Sequence, residues 1–141
     1  MRNIFDKEVS EEIIARINKL TPRSAALWGK MNVAQALAHC NVTYELVYDN
    51  KHPKPGGFKR FLLRAFIKPA VVSEKPYKHN SPTAPAFLVK GERNFEIEKT
   101  RLVDYIRLTQ QKGTAFFDKK ESHSFGKLSI KEWNNMFYKH L

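Results

Sequence analysis

Apolar residues recur at helical spacing along most of the 141-residue chain, and strict alternation is nearly absent. Ser10 is placed to cap a first helix whose inward stripe is Ile13, Ile14, Ile17 and Leu20, with Thr21 and Pro22 ending it. Asn32 and Gln35 have capping-box spacing and open a second helix running to about Tyr48. Its main stripe is Val33, Leu37, Cys40, Tyr44 and Val47, with His39 on the flank beside Ala36, Thr43 and Leu46. Pro53, Pro55, Gly56 and Gly57 break the chain before a short helix carrying Phe58, Phe61, Leu62, Ala65 and Phe66, which Pro69 should end. Residues 71–91, with Pro76, Pro82 and Pro85, show little periodicity and read as one long irregular loop, of the length that tends to be functional or packed as a lid. Asn94 caps a further helix through Phe95, Glu98, Leu102, Tyr105, Ile106 and Leu108, with Gly113 as its stop. After Phe116 and Phe117, Ser129 and Glu132 repeat the capping-box spacing. The last helix then presents Trp133, Met136, Phe137 and His140 on one face. Phe87-Leu88-Val89 is the best strand candidate and is too short to build a sheet on. Four or five helices and one long loop predict an all-α fold, a helical bundle forming a single domain over 1–141.

Composition narrows the setting. Apolar content of 42% and charged content of 28% suit a soluble globular domain, and no apolar run approaches a membrane span. The N-terminal residues lack the apolar core of a secretory signal, and the lone Cys40 excludes an internal disulfide, so a cytoplasmic location is expected. The net charge of +11 is unevenly spread. The segment 51–68 holds Lys51, Lys54, Lys59, Arg60, Arg64 and Lys68, and no acidic residue occurs from Lys51 to Ser73. Interleaved with the phenylalanines, these cations make a basic amphipathic helix. A bundle helix with a basic solvent face is the plainer account, since no nucleic-acid module accompanies the charge. The functional account is binding of nucleic acid or an anionic surface.

His39 and His140 carry the candidate chemistry. A histidine among apolar residues on a helix is either a core residue with one satisfied hydrogen bond or a ligand turned toward a metal. The surrounding residues add a resemblance. Trp28-Gly-Lys-Met31-Asn-Val-Ala-Gln35-Ala-Leu-Ala-His39-Cys40 is similar to the second-helix signature of the DinB/YfiT-like superfamily, and His123-Ser-Phe125-Gly126-Lys-Leu128 through Tyr138-Lys-His140-Leu141 resembles its last helix. Lys75-Pro76 with Asn80-Ser-Pro82-Thr83-Ala84-Pro85 resembles a branch of short, mostly bacterial domains of unknown function. The resemblance covers nearly the whole chain. It implies a four-helix bundle with a divalent metal, zinc or nickel, held by three histidines: one on the second helix and two, four residues apart, on the last. Relatives include transferases and isomerases that use low-molecular-weight thiols.

By position His39 matches the first ligand and His140 the second. The third would fall four residues after His140, beyond Leu141, so either the sequence is truncated relative to its relatives or this copy has lost the full site. His123 is the candidate substitute, although its place in the family pattern is that of a packing residue that opens the helix. His52 and His79 are expected to be solvated in loops, Cys40 to be a buried structural thiol, and Tyr44 and Tyr138 to be core phenols. With a metal bound, the chemistry would be Lewis-acid activation of a water or thiol on a small-molecule substrate. The competing function is a non-catalytic domain that binds a partner, nucleic acid or an anionic surface through 51–68, and a homodimer is compatible with either.

Overall fold

The chain's apolar stripes become six α-helices in the computed structural model, which describes residues 1–27, 29–49, 51–78 and 84–141. In chain order they are α1 (Lys7–Asn18), α2 (Val33–Tyr48), α3 (Gly57–Leu62), α4 (Lys68–Val72), α5 (Phe95–Phe117) and α6 (Ile130–Lys139). A π turn (Leu63–Ile67) joins α3 to α4, and a 3-10 turn (Pro85–Phe87) lies in the long loop. A small hairpin, β1 (Lys120–Ser122) antiparallel to β2 (Gly126–Leu128), precedes α6. The protein is thus mostly helical. Trp28, His79 and the Asn80–Thr83 part of the middle motif lie outside the described residues.

Local chemistry explains the helix starts. At α2, the Asn32 side chain accepts from the Gln35 amide at 2.9 Å while Gln35 accepts from the Asn32 amide at 3.0 Å. Ser129 and Glu132 repeat this at α6, and Asn94 accepts from Ile97 N at α5. All three starts were expected from spacing. Ser10 is a correction: it lies inside α1, fully buried, with its hydroxyl donating to Lys7 O at 3.0 Å. Asp6 occupies the cap position instead.

One breaker also acts differently from expectation. Pro69 does not end the basic helix, which continues to Val72. A proline has no N–H and its ring crowds the carbonyl four residues back. The wider π turn just before it gives that carbonyl room, so the helical run spans Gly57 to Val72. Gly113 does interrupt the helix as expected, its backbone sitting at φ 73°, ψ −180°, and a further short helical stretch follows across the kink to Phe117. The hairpin was not foreseen at all, because strands of three residues are too short to display a period.

The core lies where α1, α2, α5 and α6 meet. Phe137, Phe117, Tyr44 and Ile106 are completely buried and Trp133 nearly so. Phe137 stacks on Tyr44 with ring centres 5.0 Å apart, and Phe117 meets Trp133 edge-on at 5.2 Å. Asn134 of α6 ties down the N-terminal segment, accepting from Ile4 N at 2.7 Å and donating to Arg2 O at 2.9 Å. No helix among the described residues is long and apolar enough to cross a membrane.

Candidate functional site

His39 projects from the middle of α2, and His140 is the residue that closes α6. The two imidazoles face each other with ring centres 6.1 Å apart and planes tilted by 39°. Each is held by its Nδ1. His39 Nδ1 is 2.9 Å from the carbonyl of Phe87, and His140 Nδ1 is 2.8 Å from the carbonyl of Met136, one turn back. A carbonyl only accepts, so both Nδ1 atoms carry the proton and both Nε2 atoms keep a bare lone pair. Neither Nε2 has a hydrogen-bond partner among the described residues.

Two described residues of the long loop, Tyr77 and Phe87, lie against this pair. Phe87 stacks on His140 at 5.4 Å and meets His39 edge-on at 5.3 Å. Tyr77 meets the other part of His140 edge-on at 5.4 Å, and Lys139 Nζ sits 4.1 Å from the Tyr77 ring centre. The two histidines and the aromatic rings over them are half-buried. Burial, helped by the nearby His39 and Lys139, pushes the His140 imidazole down to about 4 against the opposing bond to Met136. Burial pushes the Tyr77 phenol up to about 12, and its hydroxyl finds no partner among the described residues.

Cys40 fits the structural role expected of it. Its thiol donates to the His140 carbonyl at 2.8 Å, and burial raises it to about 12. A protonated, hydrogen-bonded thiol is not a nucleophile at neutral pH. Tyr44 is a core phenol: its ring stacks on Tyr105 and Phe137, not on the histidines.

His123 does not join the pair. It lies in the hairpin turn, where Nε2 donates to the His52 carbonyl at 3.1 Å and Nδ1 accepts from the Ser124 hydroxyl at 2.8 Å. Both ring nitrogens are already used in bracing the turn against the segment before α3. Among the described residues, no three His, Cys, Asp or Glu side chains gather to hold a metal. His52 also departs from expectation, being half-buried with Nε2 at 3.3 Å from Glu45 Oε1.

The fit to a divalent cation is therefore that of two donors. Two imidazoles on one zinc, each nitrogen at about 2.0–2.1 Å, would place their ring centres roughly 5–6 Å apart, close to the spacing here. An Nδ1–H anchored on a carbonyl is also the usual support of a ligating histidine. A catalytic zinc normally takes three protein ligands, and the described residues supply two.

A second polar cluster, between α2 and α5, escaped the sequence reading. Arg101 reaches Glu45 at 2.8 Å and Glu98 at 3.0 Å, while Asn41 donates to the Glu98 carboxylate at 2.9 Å. Burial alone would raise the Glu45 carboxyl, but hydrogen bonds from Arg101 and His52 and the charges of Arg101 and Lys51 hold it below the usual range. The signal was present: Asn41 with Glu45, and Glu98 with Arg101, put polar pairs on otherwise apolar faces. This cluster compensates its own charges and pins two helices together.

Comparison with known proteins gave no matching family model, no similar curated protein and no similar solved structure.

Proposed function

We propose that the protein is a DinB/YfiT-like four-helix-bundle domain that binds a divalent cation, zinc or nickel, through His39 and His140. The observation that carries this reading is the matched state of the two imidazoles: each Nδ1 anchored on a carbonyl, each Nε2 unbonded, the rings 6.1 Å apart. The burial that lowers His140 favours its neutral form, the form that ligates. A bound cation would supply Lewis-acid polarisation of a water or a low-molecular-weight thiol, the chemistry of a thiol-dependent transferase or hydrolase. The chain's own contribution is to fix both rings and to set Phe87 and Tyr77 against them. Two imidazole donors imply modest affinity, and no catalytic step is assigned to them.

Titration calorimetry with zinc and nickel salts on metal-stripped protein tests the reading. One ion per chain should bind, and either His39→Ala or His140→Ala should weaken it at least ~10-fold. His123→Ala should leave binding unchanged. Absence of binding, or equal affinity in all four proteins, would refute the proposal.

A further inference from the structure

The helical run Gly57–Val72 is amphipathic with its apolar side turned away from the protein. Phe58, Phe61 and Phe66 are 78%, 65% and 72% exposed, with Ala65 exposed between them and Leu62 at 37%. At about 100° per residue these five side chains fall on one stripe. The opposite side, which faces the domain, is held by polar contacts. Arg60 pairs with Glu121 and donates to the Ser122 carbonyl, and Lys68 pairs with Glu132 at 3.3 Å. At the far end, Asn135 donates to Val72 O at 2.8 Å and Lys139 to Ala70 O at 2.6 Å.

With Arg60 and Lys68 engaged inward and the Arg64 guanidinium resting on Gly126 of β2, Lys54 and Lys59 are left exposed with no ion pair among the described residues. Lys59 lies beside the phenylalanine stripe, and Lys54 precedes the helix. Phe61, Ala65, Arg64 and Lys68 also outline a shallow recess of about 380 Å³, apolar at its floor and cationic at its rim. No acidic residue interrupts the sequence from Lys51 to Ser73.

We infer that this helix docks on an anionic lipid bilayer, its phenylalanine stripe sunk into the interface and Lys54 and Lys59 at the level of the phosphates. An apolar stripe with cations beside it is the layout that a helix lying in that plane requires. A second copy of the chain would bring like charges together around the shared stripe. A nucleic-acid duplex would meet three phenylalanines where its phosphates ask for cations. The inference is independent of the histidine pair.

Co-sedimentation with vesicles tests it, comparing pure phosphatidylcholine with an equal mixture of phosphatidylcholine and phosphatidylglycerol at low and physiological salt. The protein should bind the anionic vesicles, not the neutral ones, and more weakly as salt rises. The triple variant Phe58→Ser, Phe61→Ser, Phe66→Ser should lose binding roughly tenfold or more even at low salt, as should Lys54→Glu with Lys59→Glu. These side chains are exposed, so circular dichroism melts should match the parent. Phe61→Trp offers a second readout, a blue-shifted emission on anionic vesicles. Failure to bind at low salt would overturn the inference, as would binding indifferent to the phenylalanines. Preference for a DNA duplex over vesicles, or a dimer abolished by the triple variant without vesicle binding, would overturn it in favour of those partners.

Discussion

Helix α6 and the helical run Gly57–Val72 carry the same kind of pattern and use it in opposite ways. In α6, Trp133, Met136 and Phe137 recur at helical spacing and are 1%, 9% and 0% exposed. In the other run, Phe58, Phe61 and Phe66 recur just as regularly and remain mostly exposed. Helical spacing creates a face without stating what will cover it. What decides is the side that finds partners: α6 is anchored through its apolar face, Gly57–Val72 through polar side chains along most of its length and through Val71 and Val72 only at its end. The first helix belongs to the core, and the second is attached to it by Arg60, Lys68, the bonds to Val72 and Ala70, and the packing of Val71 and Val72.

The strongest way to break this comparison is to truncate one phenylalanine in each. Phe137→Ala removes a ring that touches Tyr44, Phe117, Trp133 and Phe5, and should cost about 3–5 kcal/mol in urea unfolding. Phe61→Ala should change stability by less than about 0.5 kcal/mol, because little of its surface is removed from water on folding. Comparable losses in the two variants would show that the Phe61 side is covered in solution.

Much of this was legible in the sequence wherever both partners of an interaction lie within one turn. The capping pairs Asn32 with Gln35 and Ser129 with Glu132 are of that kind, and so is the apolar stripe of α6. The histidine pair was legible in part. His39 and His140 stood out on apolar helices, and the resemblance paired them, but neither hinted at Phe87 O, 48 residues from His39, as the acceptor that fixes its tautomer. His123 misled for the same reason: its partners, the His52 carbonyl and the Ser124 hydroxyl, are set by the hairpin that three-residue strands concealed. Likewise, a spacing rule could not link Arg101 to Glu45 across 56 positions. Pro69 was read as a stop, whereas a π turn absorbs it; Gly113 does interrupt its helix, and what spacing could not show is the short helical stretch beyond it.

Gly113 sharpens the comparison from the core side. The chain there adopts φ 73°, ψ −180°, a region essentially restricted to glycine, and this swivel delivers Phe117 to the rings of α6. No atom lies within 4 Å of where a methyl would sit, so any loss in Gly113→Ala comes from the backbone alone. The expected cost is about 1–3 kcal/mol in the same unfolding measurement. A neutral result would mean that the kink is not needed to seat Phe117.

The smallest effect concerns how loosely Gly57–Val72 is held. Arg60 and its partner Glu121 are both partly solvated, as are Lys68 and Glu132. Exposed pairs of this kind contribute up to about 1 kcal/mol each. Arg60→Gln with Lys68→Gln should therefore lower global stability only slightly. Amide exchange is the finer measurement, since it reads local opening separately from global unfolding. Amides of 57–67 should exchange faster in the double variant while those of α6 keep their rates. Equal acceleration in α6 would mean that the two helices open as one unit, and the polar side would then be no weaker an anchor than the apolar one.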